Sequence, residues 1–484
     1  MKKSLFKNIL YKVILNIFNL ILPILVGPYV NRALGPKSLG NVQFTESIYS
    51  YFLIFASFGV YQYGVREMSR VKDDKQKTSQ LFTSLFLISS VTGITALCIY
   101  LGFSYFKYGD AVIFPILLIF GLNLIVNIFF VEWVNEAMEN YDFITIKTII
   151  VRSIYIILIF TFVNTSKDYN HYALLLVVAA FLNNIISFVY IKRKIKFDFS
   201  NLSIKRHLKP MFLVVVFSNA NVLYTLLDRF MLGEYVNSKA VSFYVIPQQI
   251  MGIINALMLS VVQVTIPRLS YILSTNDEKS YLILLNNISK VYFAFLFPAS
   301  VGLFLLSDVG VLIYGGTEFM DAAPVLSMFA IYMIFLGMDS ILANQVIYVK
   351  KKENILVRLI FLCGFINLIL NISLLKLGLF TPTNAIITTS VSTLILNLLE
   401  YGYIRRYLKV DFRLFEFGKF KYLFYALLFI PVTYGIRHFV SGPIPLFISI
   451  VIVNSIVYGV ILIVTKDLVF QMFLDKIKKR SNQA

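Results

Sequence analysis

The chain has 484 residues, of which 58% are hydrophobic and only 14% are charged, and its mean hydropathy is +0.78. A soluble globular domain is about 45–50% apolar and about 25% charged, so this composition excludes a soluble protein and indicates a membrane protein. The net charge of +19 requires no nucleic-acid partner, because basic loops beside anionic membrane lipids account for it.

Stretches of roughly 20 apolar residues, the length that crosses a bilayer as a helix, follow one another along the whole chain. We predict an all-α integral membrane protein with about fourteen transmembrane helices. In chain order they span Ile9–Val30, Val42–Gln62, Leu81–Phe103, Ala111–Val131, Ile144–Val163, Tyr172–Ile191, Met211–Leu227, Phe243–Ile266, Val291–Leu306, Ala323–Val349, Ile355–Leu375, Thr383–Ile404, Tyr422–Val440 and Ile444–Val464.

Most Lys and Arg residues fall in every second gap between these spans. With the N-terminus in the cytoplasm, 36 of the 44 lysines and arginines lie in inner segments, where Lys147 and Arg152 are counted with the inner end of the fifth span. This excess follows the positive-inside rule. It predicts a multi-pass protein of the cytoplasmic (inner) membrane with both termini in the cytoplasm.

The gaps between the spans are short, and the longest outer gap, Ser307–Ala322, has no room for a catalytic domain. The sequence carries no paired carboxylates, histidine cluster, glycine-rich phosphate loop or nucleophile arrangement at a useful spacing. We therefore predict no catalytic residue, no metal site and no cofactor, and a protein that is not an enzyme.

Arginines close the outer ends of the first and seventh predicted helices, where Arg32 follows Asn31 and Arg229 follows Asp228. A guanidinium binds two phosphate oxygens at once, so we predict that Arg32 and Arg229 bind the pyrophosphate of a substrate in a central cleft, whose substrate-binding residues also include Asn31 and Asp228. Arg66 is the candidate at the inner mouth of that cleft. The alternative is that Arg32 and Arg229 extend to the outer headgroups and that Arg66 is an ordinary positive-inside residue.

Two acidic residues lie within predicted spans, where a charge is costly and usually faces a cavity or a partner. Asp339 is near the middle of the tenth helix, and Glu46 is about one turn into the second. We predict Asp339, with Glu46 as a second candidate, as a coupling site for H⁺ or Na⁺. The alternatives are that Asp339 is a hydrogen-bonded packing residue beside Asn344 and that Glu46 pairs with a nearby arginine.

A short internal sequence repeat is present at the ends of the first and seventh predicted helices, which carry Arg32 and Arg229. Asn31–Gly35 ends the first predicted helix, and Asp228–Gly233 ends the seventh. Six helices separate the two stretches, so the halves run in the same direction, as in transporters with parallel repeats. We predict an N-lobe (1–195, six helices), a C-lobe (196–410, six helices), and a remainder (411–484) of two helices and a basic cytoplasmic tail.

The chain resembles the polysaccharide-transporter, or oligosaccharide-flippase, branch of the multidrug/oligosaccharidyl-lipid/polysaccharide exporter superfamily. The resemblance extends from about residue 5 to about residue 410. The stretches that carry it are Pro28–Pro36 leading into Leu39-Gly40, Tyr63–Glu67, Leu227–Gly233 running on to Phe243-Tyr244, Ile266–Ser270, Phe297–Ala299, Tyr314-Gly315 and Ala323–Leu326.

The resemblance implies two six-helix lobes around a central cavity, with two extra helices, working by alternating access. It implies that a polyprenyl-pyrophosphate-linked oligosaccharide moves from the inner to the outer leaflet for capsule, exopolysaccharide, O-antigen or teichoic-acid assembly. The implied partners are that lipid, the membrane lipids, and a polysaccharide polymerase and glycosyltransferases. Two alternatives stay open: a cation-coupled multidrug exporter of the same superfamily, and a membrane polysaccharide polymerase or ligase.

Overall fold

A computed structural model of the protein describes residues 5–200, 202–275 and 277–471. Those residues form helices and contain no strand, which confirms the predicted all-α class. The α-helices are α1 (Leu5–Ser57), α2 (Val60–Val71), α3 (Lys75–Tyr108), α4 (Phe114–Ile128), α5 (Glu132–Ala137), α6 (Tyr141–Phe162), α7 (Tyr169–Lys192), α8 (Ile204–Tyr235), α9 (Ser238–Ser274), α10 (Glu278–Leu305), α11 (Ser307–Tyr314), α12 (Ala323–Asp339), α13 (Glu353–Lys376), α14 (Pro382–Arg406), α15 (Phe417–Leu427), α16 (Phe429–Phe439) and α17 (Pro443–Val464). Two 3₁₀ segments (Ser166–Asp168 and Thr317–Ala322) and one π-helix (Ser340–Tyr348) complete the described part.

Within the described residues, eleven helical segments are long and apolar enough to cross a bilayer. One of them, Leu10–Val71, contains the first two predicted spans. The seventh predicted span lies in α8, and the thirteenth lies in α15 and α16; neither is among the eleven. The multi-pass class is therefore confirmed, while the count of fourteen crossings and the side of the termini stay predictions.

The first predicted span and most of the second lie in the single long helix α1, which is interrupted at Gly35. Gly35 has φ 68° and ψ 173°, a backbone conformation that residues with a Cβ rarely adopt. Pro36 follows it, and a proline fits the first turn of a helix because its missing N–H has no partner there. The Gly35-Pro36 pair therefore ends one helical segment and starts the next.

Three breaks interrupt spans that the sequence presents as continuous. α1 ends at Ser57, and Phe58 and Gly59 follow with φ 41° and 70°. The thirteenth predicted span is two helices that meet at Leu428, because Pro431 has no N–H to donate to the carbonyl four residues earlier. The tenth continues from α12 into the π-helix after Asp339.

The chain divides into two compact units, 1–242 and 243–484. In the first unit α1 packs against α3, α4, α6 and α8, and the small helix α5 packs against α2. α8, which the sequence assigns to the second lobe, therefore lies in the first compact unit. The predicted lobes, which rest on the repeat and not on contacts, stay a prediction.

In the second unit α12 packs between α10 and α14, and α14 also packs against α13. The last helices are fastened by an ion pair: Arg437 of α16 donates hydrogen bonds of 2.7 Å to both carboxylate oxygens of Asp308 in α11. This contact holds the pKa of Asp308 below its usual range, because the guanidinium stabilises the ionised carboxylate.

Candidate functional site

The stretches that form the internal repeat pack against each other in the first unit. A Cβ on Gly40 of α1 would lie 1.9 Å from the carbonyl oxygen of Ser238, and a Cβ on Gly233 of α8 would lie 2.0 Å from the ring of Phe44. Both distances are shorter than any real contact, so only glycine allows this approach. The close packing brings the residues after Asn31 beside those after Asp228.

Arg229 and Glu46 interact electrostatically within this contact. Glu46 also acts on Tyr155 of α6, so the charged cluster extends from α8 through α1 to α6. The sequence offered two roles for Glu46, a coupling site or a partner of a nearby arginine. The structure places Glu46 near Arg229, as the second of these roles requires.

The other outer-end candidates have separate surroundings. Arg32 is exposed and donates a hydrogen bond of 2.9 Å to the carbonyl oxygen of Pro28, one turn back in α1. Asn31 and Asp228 are buried, and Asp228 interacts electrostatically with Tyr51. Among these residues Arg32 is the one whose side chain is open to an incoming ligand.

Arg66 lies in α2, an amphipathic helix of twelve residues. Its guanidinium pairs with Glu67 at 2.9 Å and lies 5.3 Å from the centre of the Tyr63 ring. The Tyr63 hydroxyl in turn shares a 2.7 Å hydrogen bond with Nδ1 of His207 in α8. Burial lowers the pKa of His207 because it disfavours the charged imidazole. Arg66 is thus part of a polar contact that joins α2 to α8.

A fully compensated charge lies inside the first unit, at Lys147 of α6. Its Nζ contacts Oε2 of Glu132 at 2.9 Å, Oγ of Ser187 at 2.7 Å and the carbonyl oxygen of Asn183 at 3.3 Å. The Lys147 side chain is only 2% exposed. An ammonium has three donors, and each has an acceptor here. Lys147 is therefore a structural residue that ties α6 to α5 and α7.

Arg152, five residues further along α6, has a different environment. The sequence analysis counted it with the inner end of the fifth span, Ile144–Val163, and in the structure it lies in the middle of the 22-residue helix Tyr141–Phe162. The sequence analysis did not select Arg152 as a candidate site residue.

In the second unit, the carboxyl groups of Asp339 of α12 and Glu400 of α14 lie close enough to interact electrostatically. Glu400 is completely buried, and neither of its oxygens has a hydrogen-bond partner among the described residues. An ionised carboxylate only accepts hydrogen bonds, so no donor in the described part of the chain compensates this group.

The described residues around Asp339 and Glu400 hold α12 against α14 but supply no positive charge. One turn away, the Asn397 amide of α14 donates a 2.9 Å hydrogen bond to the Phe335 carbonyl of α12. The titratable side chains that interact with the pair are Tyr292 of α10 and Cys363 of α13, and both are uncharged in their ordinary state. Sequence reasoning found Asp339 but not its partner, because sixty residues separate the two carboxyls.

No group of three or more His, Cys, Asp or Glu side chains in the described part of the chain could hold a metal ion. The ionisable groups in the long helices include Arg152, Glu46 and Lys147 in the first unit and the carboxyl pair Asp339 and Glu400 in the second. Charges placed in this way within apolar helices are typical of a membrane transporter.

Comparison with known proteins agrees with that class. Residues 5–273 match the family described as polysaccharide biosynthesis protein, so the chain belongs to that family. The chain is 22% identical over 412 residues to the protein named "Putative O-antigen transporter" of Escherichia coli (strain K12), a match that covers 84% of this chain and 97% of that protein.

Solved structures of the superfamily share the fold. The chain is similar to the lipid II flippase MurJ in an inward closed conformation, with a TM-score of 0.74 and 17% identity, over 95% of this chain and 100% of that one. It is also similar to a multidrug resistance MATE family transporter in an inward-facing conformation, with a TM-score of 0.59 and 15% identity, over 81% of this chain and 96% of that one.

Removing the Lys147 ammonium should destabilise the protein strongly, because the largely buried Glu132 carboxylate would lose its counter-charge. We expect Lys147→Met to lower the free energy of unfolding by about 3–5 kcal/mol, the usual cost of breaking a buried pair from one side. Equilibrium unfolding in mixed micelles would measure the change.

Lys72→Met is the matched control. The Lys72–Glu139 pair has the same 2.9 Å separation but is 34% and 47% exposed, so its loss should cost at most about 1 kcal/mol. The double variant Lys147→Met/Glu132→Gln should recover much of the stability. Equal losses in Lys147→Met and Lys72→Met would show that the buried pair is not structural.

Proposed function

We propose that the protein is a flippase that moves a polyprenyl-pyrophosphate-linked oligosaccharide from the inner to the outer leaflet, for assembly of a cell-envelope polysaccharide such as capsule, exopolysaccharide, O-antigen or teichoic acid. The observation that carries the proposal is the set of arginines at the outer end and middle of the first unit, in a chain of the polysaccharide biosynthesis family. The names of two similar proteins, an O-antigen transporter and a lipid II flippase, support the substrate class.

The arginines suit the chemistry of such a head group. A pyrophosphate presents several oxygens in a plane that a guanidinium binds bidentately, which a lysine does not. Arg32 is open to a ligand, while Arg229 is balanced by Glu46. In this proposal Arg32 makes the outer contact directly, and Arg229 becomes available as the substrate displaces Glu46 from it.

The membrane potential favours outward movement of the head group. An inside-negative potential of 100 mV contributes roughly 2.3 kcal/mol for each negative charge that crosses it. If arginines move together with the pyrophosphate, the charges cancel and this contribution disappears. Transport then needs a second gradient, and we propose that Asp339 and Glu400 carry the coupling proton.

A multidrug exporter of the same superfamily is the second candidate. The carboxyl groups of Glu46 and Asp339 and the likeness to MATE transporters favour it. An exposed arginine such as Arg32 argues against it, because it repels a cationic drug. A flippase predicts that loss of the Arg32 side chain impairs transport more than loss of the Asp339 charge, and a cation exporter predicts the reverse order.

Transport in proteoliposomes tests the flippase proposal. A fluorescent polyprenyl-pyrophosphate oligosaccharide is placed in one leaflet, and its exposure to an impermeant quencher on the other side is followed. We expect Arg32→Ala/Arg229→Ala to reduce the rate at least tenfold, because the head group loses two bidentate contacts.

Lys376→Ala is the control for this experiment, since Lys376 is an exposed cation at the end of α13. Its rate should match the wild type. Wild-type transport that the double arginine variant retains would remove these residues from the site. Absence of lipid transport together with proton-driven efflux of a cationic dye, lost in Asp339→Asn, would favour the exporter.

The carboxyl pair generates a separate prediction. Glu400→Gln keeps the shape of the side chain but removes one exchangeable proton. We expect the variant to lose its response to an imposed pH gradient at least tenfold while retaining a response to membrane potential. An unchanged pH response would contradict the coupling role, and a wild-type rate that follows a Na⁺ gradient instead would replace the proton by Na⁺.

A further inference from the structure

Arg152 lies at the middle of its membrane-spanning helix. α6 has 22 residues, and Arg152 is eleven residues after its first residue, Tyr141. At 1.5 Å per residue the separation is about 16 Å, which is half of a hydrocarbon core about 30 Å thick. Arg152 is therefore too deep for its side chain to reach the headgroups of either leaflet fully.

The guanidinium is on the side of α6 that does not face lipid. The exposed face consists of Ile146, Ile150, Ile154 and Ile157, which are 41–64% exposed. With about 100° between successive residues, Arg152 is on the opposite side of the helix, next to the buried residue Tyr155. Arg152 itself is half-buried, so its side chain borders an open space on the protein side of the helix.

Among the described residues, none forms an ion pair or a hydrogen bond with Arg152; Tyr155 interacts with it electrostatically. The contrast with Lys147 on the same helix is direct, because three acceptors surround that ammonium. An arginine at this depth with five free donors requires either water or an anion. The structure thus distinguishes Lys147, whose donors all have acceptors, from Arg152, whose donors have no acceptor among the described residues.

We propose that Arg152 binds an oxyanion of the translocated substrate at mid-membrane depth. The proposal rests on the flippase function proposed above and adds a site to it. Tyr155 interacts electrostatically with both Arg152 and Glu46, and Glu46 interacts with Arg229, so Arg152 belongs to the same cluster of charged residues as Arg229. Two parts of such a substrate carry oxyanions: the pyrophosphate of the lipid carrier and the carboxylate of an acidic sugar.

The test is equilibrium binding to the full-length protein in nanodiscs, with two fluorescent polyprenyl-pyrophosphate probes that carry a neutral or a uronic-acid disaccharide. We expect Arg152→Gln to raise the Kd of both probes about tenfold and Arg152→Lys to raise it less, since an ammonium keeps the charge but not the planar fork. Lys376→Gln is the control and should leave both values unchanged.

The outcomes separate the sources of the oxyanion. A loss on both probes identifies the pyrophosphate, and a loss on the acidic probe alone identifies the sugar carboxylate. Equal Kd values for wild type and a folded Arg152→Gln protein on both probes would overturn the proposal. If the wild type binds neither lipid, the flippase function fails, and binding of inorganic pyrophosphate then tests the anion site alone. Pyrophosphate binding by the wild type that is lost in Arg152→Gln would support the anion site. Absence of pyrophosphate binding by the wild type would reject it.

Discussion

The hydrocarbon core of a bilayer offers no water, and every charged group placed there must find a partner or an aqueous space. Transfer of a charge to that depth costs roughly 2.5–3.5 kcal/mol even on the mildest scales. The protein meets this constraint in three ways. Lys147 has a full set of acceptors, Asp339 and Glu400 lie beside each other, and Arg152 is half-buried on the side of α6 away from the exposed isoleucines.

The same constraint separates the chemistry of the two units. The first unit holds the arginines at the outer end and middle of its helices, whereas the second holds a carboxyl pair among uncharged neighbours. Asn367 in the second unit donates to Thr389 at 3.1 Å, which joins α13 to α14. Under the proposed function, substrate binding and ion coupling use different parts of the chain.

The hydropathy pattern predicted most of the fold because each long apolar helix is a local property of about 20 residues. It did not predict the break at Leu428 or the one at Phe58 and Gly59, since a proline or an unusual φ alters a helix without altering hydropathy. The hydropathy pattern also did not predict the helices in the outer gap between residues 306 and 323, which contains α11 and a 3₁₀ segment.

The candidate site was predictable only where the relevant residues are adjacent in sequence. Arg32 and Arg229 could be selected because each ends an apolar run, and their placement in a substrate site remains a prediction. The pairing of Asp339 with Glu400 depends on the packing of α12 against α14 and has no signal in local composition. Arg152 lies within the fifth predicted span, but its lack of an acceptor among the described residues could not be read from the sequence.

Access of water to position 152 tests the account most directly. In a Cys98→Ser/Cys363→Ser background, single substitutions Arg152→Cys and Ile150→Cys would be treated with an anionic, membrane-impermeant thiol reagent. Reaction requires a thiolate, which forms in water and not in hydrocarbon. The account predicts rapid labelling at position 152 and none at position 150. No labelling at position 152, or equal labelling at both, would contradict an aqueous, anion-accessible space on the protein side of α6.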